Sequence, residues 1–159
     1  MPRLAKSVLL VLTVLLISLV GCSKQDETHT QVSQVAPGNK LTRVVVPDDV
    51  KGRWKAVKIA VQDKENSQQD VYTVNIGNGF VVGGSALHLK VEAFLPYFQM
   101  DGMKLTSASN DPRNPAARIS ISEDGLEVFN GWLFSKYPNT HAFQHPRYSF
   151  SLVDFIPSS

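Results

Sequence analysis

From residue 54 onward apolar and polar positions alternate over short stretches, and glycine, proline, asparagine or aspartate closes most of them. A two-residue period is that of a strand with one buried face. Residues 54–61 set Val57, Ile59 and Val61 on one side and Lys58 on the other, and residues 71–76 alternate through Tyr72, Val74 and Ile76. Between them, residues 63–69 are polar and read as a hairpin loop. Gly77-Asn78-Gly79 is a turn, and Phe80-Val81-Val82 leads to Gly83-Gly84, which with Ser85 resembles a strand-entry turn. Residues 87–95 set Leu87, Leu89, Val91, Ala93 and Leu95 against His88, Lys90, Glu92 and Phe94. A helix also fits there, since Leu87, Val91, Phe94, Leu95 and Phe98 share a helical face, but the glycine-rich approach and Pro96 favour a strand. Residues 118–122 point Ile119 and Ile121 inward, and Asp124-Gly125 joins them by a tight hairpin to residues 126–129. Residues 43–46 form an edge strand before Pro47, and residues 148–155 form the last strand. Residues 135–146 are irregular, with room for one helical turn. Short strands between frequent turns predict a mainly β fold, a single small β-sandwich or barrel-like domain.

The N-terminus has a different pattern. Residues 8–20 are apolar except for Thr13 and Ser18, and Arg3 and Lys6 precede them. Thirteen residues span about 20 Å as a helix, short of the roughly 20 residues that cross a bilayer. A basic head, a short apolar run and small residues at its end have the form of a secretory signal peptide. Leu19-Val20-Gly21-Cys22 matches the bacterial lipobox, in which the cysteine is alkylated with diacylglycerol and becomes the new N-terminus. The expected division is therefore residues 1–21 as lipoprotein signal peptide, 22–43 as lipidated N-terminus and flexible linker, and 44–159 as the β-rich domain. Residues 23–40 contain no aromatic side chain and too little apolar surface to offset the entropy of ordering them. The expected location is the cell envelope, facing the periplasm. Ser23 stands where an aspartate would retain an enteric lipoprotein in the inner membrane, which tilts the expectation towards the outer one.

Composition changes this picture in two places. The chain has 159 residues and a formal net charge of +2. Both excess charges are Arg3 and Lys6, so the chain from Cys22 on has as many acidic as basic side chains. The electrostatic case for nucleic acid as a partner goes with them. Cys22 is the only cysteine. That excludes an internal disulfide, a cysteine-rich zinc finger and a haem-attachment motif.

No catalytic constellation emerges. There is no Gly-x-Ser-x-Gly elbow, and Gly77-Asn78-Gly79 is not followed by the helix and lysine of a phosphate loop. His141 and His145 are four apart, a spacing that suits two metal ligands on one helical face. Pro138 and Pro146 bracket them and work against such a helix. The competing reading is that these imidazoles bond backbone groups and pin a loop. An aromatic cluster forms around Gly131-Trp132-Leu133-Phe134, Tyr137, Phe143, His145 and Tyr148. It serves as a packed corner or as a groove lined by rings.

Phe129-Asn130-Gly131-Trp132-Leu133-Phe134, followed by His141-Ala142-Phe143-Gln144-His145-Pro146-Arg147-Tyr148, resembles the signature of an uncharacterised bacterial envelope family, domain of unknown function 2155. The resemblance covers residues 117–154. It implies a secreted, mostly β domain and no particular activity. Relatives in that family carry cysteines near the position of Phe155, and this chain has none there. A weaker similarity links Asn114-Pro115-Ala116-Ala117 and residues 131–138 to periplasmic segments of ResB-type cytochrome c maturation proteins. The expectation is thus a membrane-anchored envelope lipoprotein without cofactor, acting as a non-catalytic binding or assembly module for an envelope protein. Cys22 is its lipidation site, and Trp132, Phe134, His141, His145 and Tyr148 form its binding or structural cluster. The alternatives are a His-dependent metal-binding protein or enzyme, and an accessory factor in cytochrome c maturation.

Overall fold

The structure, a computed structural model, describes residues 42–159; the expected signal peptide, Cys22 and nearly all of the linker lie outside the described residues. Ten strands follow one another, β1 (Arg43–Val44), β2 (Trp54–Asp63), β3 (Gln68–Asn75), β4 (Gly79–Val81), β5 (Leu87–Leu95), β6 (Phe98–Asp101), β7 (Lys104–Ser107), β8 (Ala116–Glu123), β9 (Leu126–Phe134) and β10 (Tyr148–Pro157). The fold is all-β, as the alternation predicts, and residues 87–95 are a strand. One sheet has the order β4-β5-β8-β9, a second β10-β2-β3, and a small third β1-β7-β6. Every pairing is antiparallel except β1 with β7. The two larger sheets face each other, with β3 alongside β4 and β9 alongside β10. The domain is therefore sandwich-like, and its sheet edges approach at both sides.

The main core fills the space between these sheets. Val57, Ile59 and Val61 of β2 meet Leu87, Leu89 and Val91 of β5, Ile119 and Ile121 of β8, and Phe150 and Leu152 of β10. Each such side chain contributes about 1.5–3 kcal/mol through burial. At the hairpin between β8 and β9, Asp124 and Gly125 have φ of 51° and 81°. That is the left-handed pair a two-residue turn requires, and it explains the Asp-Gly sequence.

Strict alternation fails where strands bulge. The pairing of β5 with β8 slips between Val91 and Ala93, leaving Glu92 as the extra residue. A one-residue slip exchanges the two faces. Phe94, which alternation puts among the polar residues, is consequently buried in the main core. Its neighbour Leu95 is buried in a second apolar layer. A matching slip in β10 between Leu152 and Asp154 turns Phe155 inward. Trp54, Phe94 and Phe155 then meet with ring centroids 5.1–5.3 Å apart. Asp154, on the outer side, takes a 2.8 Å ion pair from Lys58 across the strands.

Four other expectations need correction. Of residues 43–46, only Arg43–Val44 form a strand, and it lies parallel to β7. The polar hairpin loop is shorter than residues 63–69, because pairing of β2 with β3 runs out to Asp63 and Gln68. The strand after Asp124-Gly125 continues to Phe134 rather than ending at Phe129. The irregular stretch holds no helical turn; residues 138–141 make a plain turn in which Thr140 N–H donates to the Tyr137 carbonyl at 3.0 Å.

Candidate functional site

The hairpin of β6 and β7 has no counterpart among the expected strands, and it builds half of the site. Gly102, with φ of 59°, lets the chain turn back. The pairing sets Met100 opposite Leu105 and Phe98 opposite Ser107, so Phe98, Met100 and Leu105 share one face of the small sheet. That face covers the outer side of the four-stranded sheet, where Leu95, Ala116 and Trp132 are buried. Phe98 meets Trp132 and Phe134 edge-on, with centroids 5.0 Å away in both cases. Trp132 is only 9% exposed and serves this second layer as core. Phe134 is half-buried beside it.

The layer does not close. Beyond Phe98, Met100 points along the same face but finds no cover and is 64% exposed. The space it borders is a groove with a cavity volume of about 460 Å³. Phe98, Met100, Phe129, Trp132, Phe134 and His141 are among its lining residues. His141 reaches it from the turn, where its φ is 53°. The backbone is open there as well. Phe98 N–H donates to the Asn114 carbonyl at 3.0 Å, on the edge of β6 that faces away from β7. Backbone groups two residues apart in an antiparallel strand point the same way. Met100 therefore presents its N–H and carbonyl at that same edge, and among the described residues neither has a backbone partner.

His145 and Tyr148 belong to a different place. His145 Nδ1 accepts the N–H of Arg147 at 3.2 Å and of Tyr148 at 3.0 Å, which pins the chain as it enters β10. Its Nε2 lies 3.8 Å from Glu123 Oε1. The ring stacks between Phe143 and Tyr148, with centroids 5.8 and 5.5 Å away. Tyr148 is buried, and its hydroxyl has no hydrogen-bond partner among the described residues. The Arg147 guanidinium lies 5.0 Å from the Tyr148 ring centre. Arg147 also donates from Nη2 to Asp63 Oδ2 at 2.8 Å and from Nε at 3.1 Å. These bonds hold the Asp63 carboxyl below the usual aspartate range, against the opposing effect of burial.

The five cluster residues are thus divided. Trp132, Phe134 and His141 line the groove, while His145 and Tyr148 anchor the start of β10. The two imidazoles face different surroundings. Among the described residues, no three His, Cys, Asp or Glu side chains come together as a metal site. Phe98 and Met100 of the groove, and Glu123 and Asp63 around the anchor, are absent from the expected cluster. One signal for the first pair is Asp101-Gly102, the same dipeptide that marks the β8–β9 turn. No family model matches this chain, and no curated protein and no solved structure matches it.

Proposed function

We propose that this protein is a membrane-anchored envelope lipoprotein, held through lipid on Cys22, whose β domain is a non-catalytic binding or assembly module. The groove beside β6 is its docking surface, and the occupant is an extended segment of an envelope protein partner. The observation that carries this reading is Met100, which combines a 64% exposed apolar side chain with a backbone edge that has no partner among the described residues. An added strand would hydrogen-bond to Met100 and drop alternate apolar side chains towards Phe98, Trp132 and Phe134, which is strand addition at a sheet edge. The anchor and tether belong to the same reading: a domain kept near the membrane meets its partner at raised effective concentration. The resemblance to the envelope family through the Trp132 and His145 blocks is part of the proposal.

Two measurements test it. Replacing Cys22 with Ala should move the protein from the membrane to the soluble fraction, and retention on the membrane counts against the anchor. A photo-crosslinking residue at Met100 in intact cells should capture a discrete envelope protein, whereas one at Val71, exposed on β3, should not. Recovery of nothing except lipid and abundant porins from the Met100 position would sink the docking reading.

A further inference from the structure

We infer that His145 is a proton-operated pin that sets the position of the groove wall, an inference whose functional half rests on the docking reading above. Nδ1 of the ring accepts two backbone N–H groups, from Arg147 and Tyr148, so the neutral ring carries its proton on Nε2. A second proton can go only to Nδ1. There it turns an acceptor into a donor aimed at two other donors, and both bonds are lost together. The charge produced has a place to go, because Glu123 Oε1 lies 3.8 Å from Nε2 at the end of β8. Protonation therefore exchanges two bonds within the chain at the entry to β10 for an ion pair to the end of β8.

The charged and titratable groups around the ring are few. From the β2–β3 turn, Lys64 Nζ donates to the His145 carbonyl at 2.7 Å, and Lys64 N–H donates to the Arg147 carbonyl at 2.8 Å. Asp63 and Glu65 engage Arg147 at 2.8 and 3.2 Å, so its charge is already matched. The Tyr148 ring stacks on the imidazole from β10. Glu123 from β8 is the group on the far side. The Lys64 bonds tie the backbone of this corner to β2 whatever the ring's charge, and the proton acts on the segment before it. There Phe143 packs on Phe129, a groove residue, with centroids 5.3 Å apart, and Thr140 and His141 stand on the groove rim. The His145 ring reaches this wall through Phe143, which stacks on it at 5.8 Å, so a ring drawn to Glu123 shifts the wall.

The test follows single groups by NMR on the full chain between pH 8 and pH 5. The His145 ring nitrogens report its protonation, and the Arg147 and Tyr148 amides report the pin. Amide protection, corrected for the intrinsic pH dependence of exchange, should drop at least tenfold in step with ring protonation. His145→Asn keeps an acceptor at the same place without a titrating ring, and its amides should stay protected throughout. Protection that is flat in the wild-type chain, or that falls equally in His145→Asn, overturns the pin. Crosslinking from Met100 is then compared at the two pH limits. Amides that switch while crosslinking stays constant leave the pin standing and overturn its link to docking. Crosslinking that never occurs at either limit overturns the docking reading alone.

Discussion

Ile59, Leu89, Ile119 and Ile121 are wholly buried between the two larger sheets, and the edges of those sheets run alongside each other. Trp132 is nearly as well buried under the small sheet, but two residues beyond its partner Phe98 the apolar face simply continues into solvent at Met100. Both layers are built from alternating strands and from the same residue types. They differ in what surrounds them. The main layer has a second face of matching length on its other side. The small sheet, with strands of two to four residues, is too short to cover the outer face of β9 along its whole length. An incomplete layer tolerates change and leaves surface free for a partner; a complete one does neither.

The largest expected effect lies in the complete layer. Ile121→Ala removes a fully buried side chain, and should cost about 2–5 kcal/mol in denaturant unfolding, with a single cooperative transition. Phe98→Ala, in the open layer, should cost about 1–2 kcal/mol, because its site is half wet to begin with. Hydrogen exchange sharpens the contrast: Phe98→Ala should leave amides of β2 and β10 as protected as before, apart from any change in global stability. Equal losses from the two variants would show that the layers form one core.

Gly131 tests the border between the layers. A Cβ at this position would collide with the ring of Phe129. Gly131→Ala should therefore cost about 1–3 kcal/mol through overpacking. The double variant Gly131→Ala, Phe129→Ala should lose less than the sum of its two single changes, read as a coupling energy from a thermal or denaturant cycle. Additive losses would mean that the ring does not set the constraint.

Acid acts on the anchor of β10. Asp63 is held below the usual aspartate range in the folded chain, chiefly by the hydrogen bond from Arg147. Its stabilisation is complete above the ordinary aspartate pKa of about 3.9 and is lost as pH falls through that value towards the lowered one. Asp154 behaves in the same direction through its hydrogen bond from Lys58. Stability followed from pH 6 to pH 2 should fall less steeply in Asp63→Asn than in the wild-type chain. An unchanged slope would remove Asp63 from the account. The smallest effect is expected at Met100, where Met100→Ser should shift stability by no more than about 0.5 kcal/mol while weakening capture of the partner.

The fold class was legible because the alternating period survives in Val57, Ile59 and Val61, in Leu87, Leu89 and Val91, and in Ile119 and Ile121. Each of these runs lies in continuous pairing with neighbours on a single face. The tight turn at Asp124-Gly125 was legible for a local reason, since two left-handed residues in a row select that dipeptide. The candidate site was legible in part. Trp132, Phe134 and His141 do meet at one groove, yet Phe98 and Met100, which complete it, come from a hairpin whose strands are only four residues each, too short for a period to stand out. His145 and Tyr148 are adjacent to the others in sequence and separate from them in function of place.

The sequence by itself determined the all-β class, the Asp124-Gly125 turn and the inward faces of residues 57–61, 87–91 and 119–121, because those depend on residues a few positions apart. Only the tertiary structure decided the rest. Bulges at Glu92 and Val153 exchange faces according to what a neighbouring strand offers, and so Phe94 and Phe155 reach Trp54. The small sheet chooses the outer side of β9 for its cover and stops short of Met100. The lone pair of His145 Nδ1 becomes committed only when the chain bends back on itself to begin β10. In each case the deciding contact lies between residues that local pattern cannot bring together, and only packing fixes which surfaces close and which remain open.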